Sequence, residues 1–525
     1  MKMSSGFKKI IILYAWFITL VFNKNLLIYF FDNNAFLFQN VYFIVALFIT
    51  IALVIKIFLF TFGQRYLLKP ITIFLLILSS IVYYFQDKFK VLVNEDIIIS
   101  TFHTFLEGNV NELNELLTFN FVATVLVLGV LPSIFLIKIK INYPDNIFKE
   151  ILQRGFIIGL CFGFFGLIVF SNYKNVSLIA RKNEKINRVI IPTYTIASIK
   201  NLYKKYYLTP SEVKIFVKKA TAVQDSKRNI MILVLGETAR SDRFSLGGYE
   251  RETNPKLKEI GVQFYKNVES CGTITAYSVP CIFYLDKYSS YSPAKAEYQQ
   301  NVLDVINMAP NHKVIWLENN SSCKHVCDRI ETLDYMNLKK DEYNPGQKDE
   351  YLIGETKKVL DKYNKEKNLL IVLHTMGSHG PRYHNRYPKE FEKFKPACNS
   401  NSPEKCESSI LNNSYDNTIY YTDHVIAELI GLLKKYETQT NIGLFYVSDH
   451  GESLGENGIY LHGLPKSFAP KEQTHVPFIW WSNKLTAGKN EVIEDQLTFE
   501  DVPGKLLSFF NIKTEPELKL KNRIK

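Results

Sequence analysis

Leu444-Phe445-Tyr446-Val447-Ser448-Asp449-His450-Gly451-Glu452-Ser453 sets four apolar residues directly before an acid and an imidazole. A short apolar run of this kind reads as a buried strand of an α/β sheet. The pattern occurs twice more upstream. Ile230–Leu235 runs into Gly236-Glu237-Thr238-Ala239-Arg240, and Leu369–Leu373 runs into His374-Thr375-Met376-Gly377-Ser378-His379-Gly380-Pro381. In such sheets ligands sit beyond the carboxyl ends of the strands. Three strand ends thus bring Glu237, His379, Asp449 and His450 to one rim, which is a metal-site composition and points to an enzyme. Helical patterns around Glu350–Tyr363 and Asp423–Tyr436 supply the βα alternation.

Each piece is weak alone, since Asp-His-Gly at a strand end occurs in many proteins. The recurrence of strand and then ligand carries the reading. Zn²⁺ takes imidazole and carboxylate ligands, and a catalytic site keeps one position for the reacting oxygen. Glu237, Asp449 and His450 supply three ligands. The reacting oxygen is expected from the hydroxyl-rich segment Ser270–Cys281, where Thr275 begins a predicted helix. A helix N-terminus stabilises an anion, and a zinc-bound hydroxyl ionises more easily than a free one.

The chain has 525 residues and a formal charge of +12. A membrane explains the basic balance better than nucleic acid does, and no nucleic-acid partner is expected. Residues 1–171 hold five long apolar runs: Ile10–Phe22, Val41–Phe62, Leu68–Phe85, Phe121–Ile137 and Gly155–Phe170. A span needs ~20 largely apolar residues, and five such runs in succession predict five transmembrane helices. Phe22-Asn23-Lys24-Asn25 offers no small-residue cleavage site, so the first run reads as an anchor. Basic residues Lys8, Lys9, Arg65, Lys69, Lys138, Lys140, Lys149 and Arg154 flank alternate ends. They set a cytoplasmic N-terminus, and five crossings then place the chain beyond Ser171 in the periplasm of a bacterial inner-membrane protein. A periplasmic loop is expected at about 86–120, a basic and aromatic linker on the membrane surface at 172–228, and a periplasmic catalytic domain at 229–525.

Of seven cysteines, Cys161 falls in the fifth span. The other six lie in close pairs, Cys271/Cys281, Cys323/Cys327 and Cys398/Cys406, and local pairing is the simplest of the possible connectivities. Disulfides imply an oxidising compartment, in agreement with the topology. Cys323-Lys324-His325-Val326-Cys327 offers a zinc knuckle as an alternative, but no second pair at knuckle spacing accompanies it.

These segments, with others between them, resemble the bacterial phosphoethanolamine transferases, which include the lipid A modifying enzymes behind polymyxin resistance. The resemblance rests on Gly-Glu-Thr-Ala-Arg at 236–240, Tyr-Glu-Arg-Glu-Thr-Asn-Pro at 249–255 and Cys-Gly-Thr-Ile-Thr-Ala-Tyr-Ser-Val-Pro-Cys at 271–281. It continues through Glu-Asn-Asn-Ser at 318–321, Met-Gly-Ser-His-Gly-Pro at 376–381 and Ser-Asp-His-Gly-Glu-Ser-Leu-Gly-Glu-Asn-Gly at 448–458. Tyr-Leu-His-Gly at 460–463 and Ala-Pro-Lys-Glu-Gln at 469–473 complete the series. It implies a five-helix transmembrane bundle and then an α/β/α domain like those of the alkaline phosphatases and sulfatases. It implies zinc on Glu237, Asp449 and His450, with Thr275 both nucleophile and ligand. It puts His379 and His462 at a second-metal or substrate-phosphate position, and Ser321 and Lys324 in a donor-contact region. The three cysteine pairs fall where the family has disulfides. The family's donor loop between spans three and four supplies Asn, Thr and Glu at four-residue steps. Here Ser100, Thr104 and Gly108 stand there, which leaves Thr104 as the one match.

The implied reaction moves phosphoethanolamine from phosphatidylethanolamine to an outer-membrane acceptor, lipid A, lipopolysaccharide core or another glycan, through a phospho-threonine. The alternatives with the same ligands are a membrane-tethered metal-dependent phosphodiesterase or sulfatase, and a phosphoglycerol transferase.

Overall fold

A computed structural model describes residues 4–26, 38–89, 98, 118–171, 190–192, 194–196, 198–200, 213–223, 227–320, 322–334, 348–363, 367–400, 403–467, 469–486 and 488–524. The described residues fall into two compact units, one of the residues up to 200 without residue 98, and one of residue 98 with the residues from 213 onward.

The first unit is helical. Its helices are α1 (Phe7–Phe22), α2 (Phe38–Phe62), α3 (Leu68–Phe89), α4 (Phe119–Lys138, with a π-helical turn over Val125–Val130) and α5 (Ile147–Ser171). Among the described residues four helices are long and apolar enough to cross a membrane: Ile44–Phe62, Leu68–Lys88, Phe119–Lys138 and Ile147–Ile168. The expectation of five spans is corrected at the first run. Helix α1 has 16 residues, about 24 Å of rise against a hydrocarbon core of about 30 Å. Both of its ends are fixed. Ser4–Gly6 before it is a strand paired with Lys140–Asn142. Asn23 after it is buried, donates to the carbonyls of Ile18 (3.3 Å) and Ile191 (3.0 Å), and accepts from the Ile191 amide at 2.8 Å.

Several of the basic flanks expected to set orientation are internal fastenings. Glu150 accepts from Arg65 Nε at 2.8 Å and from Arg154 Nε at 2.9 Å, while Lys69 Nζ donates to the carbonyls of Ile137 and Ile139. Glu150 and Arg154 are buried, and a buried charge pair of this kind is tolerated because each partner answers the other.

The second unit is built on one mixed sheet of nine strands: β1 (Arg228–Gly236), β2 (Gln263–Glu269), β3 (His312–Glu318), β4 (Glu331–Asp334), β5 (Asn368–His374), β6 (Thr440–Ser448), β7 (His475–Ser482), β8 (Glu491–Ile493) and β9 (Leu497–Thr498). The order is β8-β2-β7-β6-β1-β5-β3-β4, with β9 also on β2. Strand β7 runs against its neighbours β6 and β2; the other pairings are parallel. Alternation along β1 explains the layering. Met231, Leu233 and Leu235 belong to one buried apolar cluster, and Ile230, Ile232 and Val234 to another on the opposite face. Helix α6 (Thr275–Ile282) packs in the first cluster; α7 (Tyr351–Lys362) and the long α8 (Ser408–Lys434) cover the second. Helix α8 begins well before the periodicity that signals it. Its first half buries Ser414, Asp416, Asn417 and Thr418, which interrupt an apolar pattern.

Candidate active site

Register brings the motifs together. Leu235 pairs with His374, Gly236 with Ser448, and Glu318 with His374. The carboxyl ends of β3, β5, β1 and β6 therefore lie side by side, and β2, parallel to β6 across β7, delivers its own carboxyl end to the same edge. Thr275 comes after β2 by a short turn. It is the first residue of α6, and the Cys271–Cys281 disulfide brackets that helix. The sequence pattern puts Thr275 in a turn between strands; the sheet shows that this turn is itself a strand end.

Glu237, Asp449 and His450 are fully buried, and one ligand atom from each lies within 4.8 Å of the others. Thr275 Oγ1 donates to Glu237 at 3.1 and 3.2 Å and stands 3.5 Å from His450 Nε2. His450 Nε2 is 3.3 Å from both Glu237 Oε1 and Asp449 Oδ2. The ring's other nitrogen, Nδ1, meets the Gly451 carbonyl at 2.9 Å, which turns Nε2 toward the acids. Asp449 is shaped by the chain around it, since its Oδ1 accepts from the amides of His450 (2.7 Å) and Thr238 (3.3 Å), and Thr238 holds a positive φ of 51°.

The electrostatics fit a cation. Burial pushes Glu237 up, but hydrogen bonding to His450 and its charge outweigh that and hold Glu237 well below the usual carboxylate range. Burial, with Glu237 alongside, pushes Asp449 up to about 7. Burial lowers His450, but Asp449 and Glu237 outweigh it and keep it near 9. A proton on His450 thus supplies the positive charge that two buried acids require. Asp449 Oδ2 accepts no hydrogen bond and has His450 Nε2 near it at 3.3 Å, and a dry carboxylate oxygen without a well-placed donor is costly. Two carboxylates, one imidazole and a nearby hydroxyl match a divalent metal with one reacting position.

His462 and His379 lie beside this group. The His462 ring is 4.4 Å from that of His450 and 5.4 Å from that of His379, centroid to centroid. Fully buried Glu452 accepts from His462 Nδ1 at 2.9 Å and from the Tyr383 hydroxyl at 2.9 Å. Burial drives His379 down to about 3, against the pull of Glu237, so its imidazole is neutral near pH 7. Lys324 is buried in the turn closed by the Cys323–Cys327 disulfide, with Nζ 3.4 Å from Ser322 Oγ. That bond replaces the zinc-knuckle alternative, and Cys398–Cys406 forms the third disulfide. Ser321 and Thr104 lie outside the described residues.

Sequence reasoning misses one residue. Asn320, just past β3, donates Nδ2 to Glu237 Oε2 at 2.9 Å and to the Thr375 carbonyl at 2.9 Å. A signal for it exists, because Val314–Leu317 is a fourth apolar run that ends in Glu318-Asn319-Asn320.

A parallel-edged α/β sheet that gathers acids, an imidazole and a hydroxyl at its carboxyl edge defines an enzyme of the sulfatase class, and residues 229–512 match the Sulfatase family model. Residues 47–207 match the model described as Phosphoethanolamine transferase EptA/EptB. The chain belongs to the phosphoethanolamine transferase family. It is 35% identical over 483 residues to Phosphatidylethanolamine transferase Mcr-1 of Escherichia coli, covering 88% of this chain and 86% of that one. It is 35% identical over 434 residues to Phosphoethanolamine transferase EptA of Escherichia coli K12, covering 82% and 78%. The solved integral membrane protein lipooligosaccharide phosphoethanolamine transferase A (EptA) from Neisseria meningitidis is similar with a TM-score of 0.88 at 29% identity, covering 97% of this chain and 96% of that one.

Proposed function

We propose that this protein transfers phosphoethanolamine from phosphatidylethanolamine to lipid A or the lipopolysaccharide core, with Thr275 as the nucleophile and zinc as the metal. The carrying observation is Thr275 Oγ1 at 3.1–3.5 Å from Glu237 and His450. Zinc bound by Glu237, Asp449 and His450 supplies positive charge that makes the threonine hydroxyl more acidic. Thr275 Oγ1 attacks the donor phosphorus, the P–O bond to diacylglycerol breaks, and diacylglycerol leaves with a proton. A phosphoethanolamine ester on Thr275 remains. An acceptor phosphate or hydroxyl oxygen then attacks the same phosphorus, the Oγ1–P bond breaks, and Thr275 Oγ1 takes a proton from the acceptor hydroxyl or from solvent. His462, held by Glu452, and neutral His379 lie beside this group, which supports a role for them in steadying the phosphate or passing these protons. The start of α6 favours the anionic phosphate.

The acceptor is taken from the lipooligosaccharide named for the similar Neisseria enzyme. Three disulfides in the second unit support a periplasmic catalytic domain on an inner-membrane anchor, and they do so independently of the number of crossings.

Thr275→Ala is expected to abolish transfer while zinc content and melting temperature stay at parental values. Brief incubation of the parent with donor alone should leave one phosphoethanolamine on the peptide carrying Thr275, seen by mass spectrometry. Full transfer by Thr275→Ala would refute the mechanism, and lipid A and lipopolysaccharide core both unmodified in expressing cells would refute the acceptor.

A further inference from the structure

Glu318 is a buried carboxylate with no part in the transfer chemistry. It ends β3 and is 1% exposed. Its oxygens accept from Trp316 Nε1 at 2.8 Å, from the Asn320 amide at 2.7 Å and from His374 Nδ1 at 2.9 Å. A buried charge costs several kcal/mol unless its donors are well placed, and an apolar side chain at this strand end would cost the sheet less. The donors show what the charge organises. By capturing the Asn320 amide, Glu318 folds the chain back directly after β3. That turn sets the Asn320 side chain, 3% exposed, between two strand ends. Both Nδ2 bonds are then spent, one on the Thr375 carbonyl after β5 and one on Glu237 Oε2 after β1. Glu237 is left with Oε1 on the side of His450, at 3.3 Å.

We infer that Glu318 is a positioning residue for the metal ligand Glu237, acting through Asn320. Without it the Asn320 amide loses its side-chain acceptor, the Glu237 carboxylate keeps only Thr275 and His450 to orient it, and the ligand set must be ordered at the expense of binding. Partners behind a ligand are worth about 10- to 100-fold in metal affinity. The inference rests on the proposed metal site, so the experiment tests that site separately.

Full-length protein in detergent is stripped of metal and titrated with zinc against a chromophoric chelator, and the visible spectrum of the cobalt(II) form is recorded. Glu237→Gln should lose competitive zinc binding; wild-type affinity in that variant would overturn the metal site and this inference with it. Glu318→Leu, which removes the acceptor of the Asn320 amide, and Asn320→Ala should each weaken zinc about 10- to 100-fold and alter the cobalt spectrum. The double variant should bind no more weakly than the worse single, because both changes break one relay. If Glu237→Gln loses zinc while Asn320→Ala stays within about twofold of the parent, the metal site stands and the positioning role is refuted. Additive losses in the double variant refute it too. Should Glu318→Leu fail to fold, Glu318→Met takes its place, and parental zinc affinity in whichever folds refutes the role of Glu318.

Discussion

Gly377 shows how closely the chain is fitted around the metal ligands. It has a φ of +50°, and a Cβ built on it would stand 2.8 Å from the Glu237 carbonyl oxygen and 2.9 Å from the Glu237 amide nitrogen. Its own amide is held by Asp349 Oδ2 at 2.9 Å, while Asp349 Oδ1 takes the Met376 amide and the Asn319 side chain. The backbone there has no freedom to retreat. Gly377→Ala is therefore expected to lower stability by about 2 kcal/mol or more, from the left-handed conformation together with the clash. It should also weaken zinc binding, since the clash falls on the residue that carries Glu237. Thermal melting and zinc titration check the two effects. Sequence can flag this glycine only as part of a motif, because its need comes from Glu237, far away in the chain. Glu237, Asp449 and His450 are legible for the opposite reason: each comes just after an apolar strand run, so local pattern and chemistry coincide. Asn320 escapes such reading, because an amide after a strand looks like a turn residue unless the strand is counted among the site's neighbours.

Helix α6 has eight residues, carries Pro280 within it, and ends one residue beyond Cys281. A helix this short has little stability of its own. Its start nevertheless carries Thr275, the proposed nucleophile. Burial of Val279, Cys281 and Ile282 in the core fixes one side, and the Cys271–Cys281 disulfide closes a sequence separation of 10 residues. Loop-closure entropy assigns such a bridge about 3 kcal/mol. Replacing both cysteines by Ala should lower melting by that free energy. It should reduce the turnover of transfer more than it changes zinc affinity, because Glu237, Asp449 and His450 sit on other strand ends. Equal losses in zinc affinity and turnover would mean that the bridge supports the ligands rather than Thr275. The cysteine spacing makes this bracket readable from sequence. The length of α1 is not readable, because an apolar run does not show where its helix stops; the paired strand at Ser4–Gly6 and the side chain of Asn23 decide that.

The division into two units predicts how the protein can be cut. The candidate metal ligands, Thr275 and the three disulfides lie in the second unit, so the proposed zinc site is expected to survive in that unit alone. Its edge is set by packing upstream of the catalytic sheet. Lys219–Ala222 pairs antiparallel with Ile512–Glu515. Gln300 Oε1 accepts from the amides of Phe216 and Val217 at 3.1 and 2.7 Å, and Val217 is fully buried. A fragment beginning at residue 202 keeps these partners. One beginning at residue 229, where the apolar strand pattern starts, loses them and leaves Gln300 and the edge of Ile512–Glu515 without donors, at about 1–3 kcal/mol for each buried polar group stranded. The longer fragment is expected to bind zinc as tightly as the full-length protein, whereas the shorter should melt lower and aggregate through the bared strand. On phosphatidylethanolamine vesicles both should fall far below the full-length protein, because the proposed membrane anchor is removed with the first unit. Zinc titration and melting of the two fragments test the boundary. Their transfer rates on vesicles, set against rates on a water-soluble headgroup analogue, test the anchor: a fragment that matches the full-length protein on vesicles would show that the membrane helices serve something other than delivery of the donor.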